Sequence, residues 1–201
     1  MLDWFRTRNA NSRKAKELYG AVLTAARQRV LFAGYGVPDT FNGRYEMIVL
    51  VLFQLLERLR VEGAGAGGDI EELSRETLEA FFTDMDDCMR EAGVGDLSVP
   101  KKVKRAAAGF YERATAYRAA LAAQDRAGLA AALQRFIQQA GDLDASGSNA
   151  PAGSLGCSEP GQPDFAALAN HMFRQRDALA ACTRDAVLTG AAFPAPLGRA
   201  P

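Results

Sequence analysis

The chain has 201 residues, 48% of them hydrophobic and 24% charged, with a formal net charge of zero. That length is enough to bury a real core in one domain, and the composition is that of an ordinary globular protein rather than a disordered or fibrous one. Zero net charge excludes a general polyanion binder.

Charge is nevertheless segregated. Residues 1–29 hold seven Lys/Arg against Asp3 and Glu17; residues 69–96 hold ten Asp/Glu against Arg75 and Arg90; residues 97–126 hold seven Lys/Arg against Glu112 and Asp125. Blocks of this kind build surfaces of opposite sign that steer partners or pair with each other. Cys88, Cys157 and Cys182 are widely spaced and odd in number. They imply neither a zinc site nor a disulfide framework, and fit a reducing compartment.

Taken in chain order, residues 1–10 read as a basic segment with no apolar signal-peptide core. A first helix is predicted from Asn11 or Ser12, with Leu18, Val22, Ala25 and Ala26 on one face, breaking near Gly34 or Gly36 before Val37-Pro38. Asp39-Thr40-Phe41-Asn42-Gly43 is a turn that opens a second helix through Arg60. Its run from Met47 to Leu56 is apolar nearly all round but too short to span a bilayer, so it should be the buried centre of the bundle.

Gly63 to Gly68, GAGAGG, reads as a flexible connection. It matches GxGxxG formally, but a helix precedes it where a dinucleotide loop needs a strand. A third helix starts at Asp69 or Ser74 and stops at Ala92 before Gly93, with Leu73, Leu78, Phe81, Phe82, Met85 and Met89 inward. Ser98 and Pro100 start a fourth, packing through Val103, Ala107, Phe110, Tyr111, Ala114 and Tyr117. Asp125 starts a fifth with Leu129, Leu133, Phe136 and Ile137 inside. Residues 11–140 thus form the core, 141–163 a mobile Gly/Ser/Pro-rich loop, 164–190 a last helix packing on the core, and 191–201 a disordered tail. The expected fold is all-α: a single-domain bundle of about six helices around a central hydrophobic one.

Catalytic chemistry is hard to find. His171 is the only histidine and reads as a residue on the polar edge of the last helix; no GxSxG elbow accompanies it. Asp84, Asp86 and Asp87 approach the DDxxD pattern by which helical prenyl-transfer enzymes hold magnesium. The third carboxylate of that motif is missing, and no second acidic motif follows. No cofactor and no metal site is expected.

Two clusters remain. Lys101, Lys102, Lys104 and Arg105 crowd the start of the fourth helix, and the acids lie late in the third; both placements oppose the helix dipole. Each therefore needs a partner, either the other cluster or a second molecule. Gly93-Val94-Gly95-Asp96 makes a sharp corner that brings the two helix ends side by side, with Asp96 accepting backbone hydrogen bonds. Without interleaved aromatics the basic face does not read bases, so no sequence-specific nucleic acid is expected.

ELYG (Glu17 to Gly20), GVPDTFNGRYE (Gly36 to Glu46), DMD (Asp84 to Asp86), MREAGVGDLSVPKKVK (Met89 to Lys104) and FYERATAY (Phe110 to Tyr117) occur in an order and spacing that resemble the ubiquinol–cytochrome c chaperone family, from about Glu17 to about Phe136. The resemblance implies a non-enzymatic assembly factor for ubiquinol–cytochrome c reductase. Its implied partner is newly made cytochrome b, with a small co-chaperone and the ribosome exit as further contacts in mitochondria. Without a clear presequence this chain resembles a compact bacterial member, placed in the cytoplasm with peripheral contact at the inner face of the membrane. Under that reading Arg44, Tyr45, Asp84, Asp86, Arg90, Gly93, Gly95, Asp96, Lys101, Lys102 and Lys104 form the client-contact surface. Two other readings stay open: a helical adaptor for an unrelated complex, and a magnesium-dependent enzyme binding an isoprenoid diphosphate.

Overall fold

The structure is a computed structural model; it describes residues 2–64, 68–91, 93, 95–146 and 162–192, with side chains omitted for 2–10 and 139–146. Among the described residues it contains seven α-helices and no strand: α1 (Leu2–Ala26), α2 (Phe41–Gly63), α3 (Gly68–Glu91), α4 (Val99–Ala122), α5 (Arg126–Ser146), α6 (Phe165–Ala181) and α7 (Arg184–Leu188). A π-helical turn, Val30–Gly34, lies between α1 and α2.

The hydrophobic run in α2 decides the architecture. Met47, Val49, Leu50, Val51, Leu52, Phe53, Leu55 and Leu59 are all buried, which a helix achieves only when it is covered on every side. Around it stand α1, α3, α4, α5 and α6, each packed on the next in that order. The start of α2 is fixed chemically: the Thr40 side chain accepts a hydrogen bond from the Gly43 amide at 3.1 Å, an N-cap. Only glycine fits at 43, because a Cβ there would lie 1.9 Å from the Pro38 carbonyl oxygen.

Several expected boundaries move. α1 begins at Leu2 rather than at Asn11 or Ser12, so residues 2–10 belong to that helix. Asn11 and Ser12 favour caps but do not forbid a helix interior when good helix formers flank them. α5 continues to Ser146, so 141–146 belong to a helix and not to the expected loop; a single Gly141 costs only about 1 kcal/mol there. The rest of that loop, except 162–163, lies outside the described residues, as do 65–67 of the glycine connection.

The last helix is two. It breaks at Cys182–Thr183, where the Thr183 side chain accepts from the Ala186 amide and starts α7. Ala192 is buried and its amide donates to the Ala186 carbonyl at 2.9 Å, so the expected tail is still packed at 191–192; 193–201 lie outside the described residues.

His171 also departs from expectation. It is buried at 2% exposure, not at a polar edge. Arg174 Nη2 donates to the Tyr35 hydroxyl at 3.3 Å, and that hydroxyl lies 3.2 Å from His171 Nδ1. The arrangement that satisfies all three groups has Tyr35 donating to Nδ1, so the neutral ring keeps its proton on Nε2. Burial, with the Arg174 charge, lowers the His171 pKa to about 4.

Candidate functional site

Gly93 ends α3 in the left-handed conformation, φ +78°, where a Cβ would be strained. Its amide donates to the Arg90 carbonyl at 3.0 Å, and the Ser98 amide to the Gly95 carbonyl at 2.7 Å. Pro100 sits in the first turn of α4, where its missing N–H costs nothing. Ser98 stands at the expected cap position, but its side chain makes no capping hydrogen bond. The start of the helix is seated instead by the fully buried Val99.

One residue straps this corner. Arg90 donates from Nε to Asp86 Oδ2 and from Nη1 to Asp96 Oδ1, both at 2.6 Å. Among the described residues Asp96 therefore accepts from a side chain rather than, as expected, from the turn backbone. Asp84 is half-buried and accepts from the Tyr19 hydroxyl at 2.7 Å, which ties α1 to α3. Burial and the neighbouring carboxylate push the Tyr19 hydroxyl far above its usual pKa. The acidic trio is thus divided among different partners. Among the described residues no three His, Cys, Asp or Glu side chains are grouped to hold a metal ion.

The basic cluster does not pair with the acidic one. Lys101, Lys102, Lys104 and Arg105 are exposed, and among the described residues every ion pair of the corner runs through Arg90. Four cations at a helix N-terminus, with no acidic residue in that first turn, form an electrostatically unfavourable face. An acidic partner would relieve it. Asp87 and Glu91 lie exposed at the end of α3, so the corner presents both signs.

Arg44 and Tyr45 divide. Arg44 donates from Nε to Asp39 at 2.6 Å, within its own turn, and holds that carboxyl below its usual pKa. Tyr45 is half-buried: its ring stacks on Phe81 with centroids 6.3 Å apart, and burial pushes its hydroxyl up to about 12. Phe81 in turn touches Phe82 and Phe110, at 5.1 and 6.1 Å. The GRYE segment is therefore joined to α3 and α4 through an aromatic cluster, with Tyr45 as scaffold and Arg44 at the surface.

Sequence reasoning missed the large apolar groups left in solvent. Leu97 at the corner is 93% exposed, Phe41 71% and Tyr111 57%. Tyr111, expected as a packing residue, points outward because Phe110, Ala114, Tyr117 and Leu121 already fill the buried face. Their 4-3-4 spacing was the available signal. Nothing in the local pattern marked Leu97.

A profile of the family described as ubiquinol-cytochrome C chaperone matches residues 33–194. No curated protein matches the chain. Among solved structures, the crystal structure of the Cbp3 homolog from Brucella abortus is 34% identical and superposes with a TM-score of 0.71, covering 94% of this chain and 93% of that one. The helical bundle, its corner and this agreement in sequence and fold lead to one conclusion: the chain belongs to the ubiquinol–cytochrome c chaperone family.

Proposed function

We propose that this protein is a non-enzymatic assembly factor for ubiquinol–cytochrome c reductase that holds newly made cytochrome b, or a related membrane subunit, until the complex forms. The observation that carries the reading is the family match over residues 33–194 together with a solved relative of nearly the same extent. Among the described residues no helix is long and apolar enough to cross a membrane. The protein would meet its client from the cytoplasm, in peripheral contact with the inner face of the membrane, with or without a small co-chaperone.

The α3–α4 corner is the proposed contact surface. Asp86, Arg90 and Asp96 fix its shape, Gly93 and Gly95 turn it, and Lys101, Lys102 and Lys104 offer charge with no ion-pair partner among the described residues. Leu97 supplies an exposed apolar group at the corner, and Tyr111 an exposed aromatic further along α4; a few well-packed anchors, tyrosine among them, carry most of the energy of an interface. Release follows when haem insertion or subunit addition changes relative affinities. The diphosphate-enzyme reading loses its basis in Asp84 and Asp86, which are engaged by Tyr19 and Arg90.

Deleting the gene in its native host and recording reduced-minus-oxidised haem b spectra of the membranes tests the role. Selective loss of the cytochrome b signal, restored by complementation, supports it. An unchanged spectrum with normal ubiquinol oxidation removes it and leaves an adaptor for another complex.

A further inference from the structure

A cleft of about 500 Å³ opens where the C-terminal parts of α2, α4 and α6 meet, within the range of sites that hold organic ligands, roughly 300–1,000 Å³. Its floor is apolar, built from Phe53, Leu121 and Leu179, with exposed Val61 beside it. Gln54 also lines the cleft, 4% exposed, and among the described residues neither its Oε1 nor its Nε2 has a hydrogen-bond partner. An unpaired buried carboxamide is a standing cost that any partner offering both a donor and an acceptor would remove.

The rim carries charge in a definite balance. Arg118 donates to Glu57 Oε1 at 3.0 and 2.5 Å, and Arg60 to Glu57 Oε2 at 3.2 Å. Two guanidinium groups share one carboxylate, which leaves one positive charge over. The other two arginines are matched. Arg58 pairs with Glu62 and donates to the Leu179 and Cys182 carbonyls; Arg176 pairs with Asp177 and donates to the Leu121 carbonyl. Those two answer the helix C-termini; Arg60 and Arg118 supply the surplus.

We propose that this cleft binds an apolar peptide segment carrying one carboxylate. A peptide offers all three complements at once: side chains for the floor, a backbone N–H and C=O for Gln54, and an acidic side chain for Arg60 and Arg118. A fatty acyl chain has nothing for Gln54, and a free phosphate nothing for the floor. Pairing of the Gln54 amide with a peptide backbone would relieve its unpaired state and so favour the bound form. Seventeen residues separate Lys101 from Arg118, about 25 Å along α4 at 1.5 Å per residue, so the cleft is a site apart from the corner. The inference rests on the chaperone reading, since a protein that holds an unassembled subunit needs more than one hold on an extended client.

The test is fluorescence anisotropy of the full chain with labelled acetyl-Ala-Leu-Phe-Ala-Leu-X-amide peptides, X being Glu, Gln or Lys. The Glu peptide should bind about tenfold tighter than the Lys peptide. Arg60→Glu, a change at an exposed position, should abolish or invert that preference. Gln54→Leu should raise the thermal midpoint, because it removes the unpaired amide, yet weaken all three peptides about threefold or more. Equal affinity for the Glu and Lys peptides, or a preference that survives Arg60→Glu, overturns the proposal. So does saturable binding of dodecanoate with no binding of any peptide. These readings do not depend on the haem spectrum of the deletion strain: failure here leaves the assembly role standing, and a normal spectrum there leaves the peptide result standing.

Discussion

Glu46 of α2 and Arg113 of α4 are joined by two hydrogen bonds, from Arg113 Nε at 2.8 Å and Nη2 at 2.5 Å, with the carboxylate buried. The guanidinium also lies over the Phe136 ring of α5, 4.7 Å from its centroid. Burial raises the Glu46 pKa against the pull of Arg113; the bidentate geometry is what keeps such a pair tolerable in the interior. Removing one partner should be worse than removing both. Arg113→Met alone should cost on the order of 3–5 kcal/mol by urea denaturation, and adding Glu46→Leu to it should recover most of the loss. Equal destabilisation by the single and double changes would show that the pair contributes only its packing.

His171 makes stability depend on pH in a defined window. Its folded pKa is lowered to about 4, whereas an unfolded histidine titrates near 6.5. Between those values the unfolded chain binds the extra proton, so stability falls as pH falls. The contribution is complete above about pH 6.5 and lost by about pH 4, on the order of 3 kcal/mol in all. Denaturant midpoints of wild type and His171→Leu should diverge in slope across that window, the variant being the flatter. Parallel curves would place His171 in contact with water.

Tyr19 and Asp84 connect α1 to α3 through one charge-assisted hydrogen bond. Tyr19→Phe keeps the edge-on ring contact with Phe81, centroids 6.2 Å apart, and removes only the hydroxyl. The expected loss is about 1.5–3 kcal/mol in urea denaturation, with the helical circular dichroism unchanged. A loss below half a kilocalorie would mean that water replaces the hydroxyl at Asp84.

The lysines of the corner allow binding to be separated from folding. Reversing Lys101, Lys102 and Lys104 to glutamate puts negative charge at the start of α4, where the helix dipole favours it by about 0.3–1 kcal/mol per residue at most. The thermal midpoint should hold or rise while co-purification of the client weakens. Unchanged co-purification would remove the lysines from the contact surface.

How much of this was legible in the sequence follows from the range of the forces involved. α2 was plain because burial on every side needs a continuous apolar run, and Met47 to Leu56 supplies one. The corner was plain because Gly93, Gly95 and Pro100 act on the backbone locally. The Glu46–Arg113 pair was not, since its members stand 67 positions apart and each alone looks like a surface charge. Arg90 was legible as part of the site, but its choice of Asp86 and Asp96 over a free role needed the turn geometry. The break at Thr183 was hidden because the apolar spacing continues through Val187, and only the cap of α7 reveals it. His171 was misjudged for a related reason: it is buried by packing between helices, and its hydrogen-bond partner Tyr35 stands 136 residues away.

The enclosure of α2 has a consequence for how the molecule moves. The middle of α2, from Met47 to Leu55, cannot shed its amide protons by fraying, since only the ends of the helix, at Phe41 and Val61, are exposed. Its slowest-exchanging hydrogens should then report the unfolding of the whole chain, while the ends of α1 and α5 exchange by local opening. In the proposed role such a protein would have a rigid centre, and accommodation to a client would fall to the client and to surface groups of the corner and the cleft.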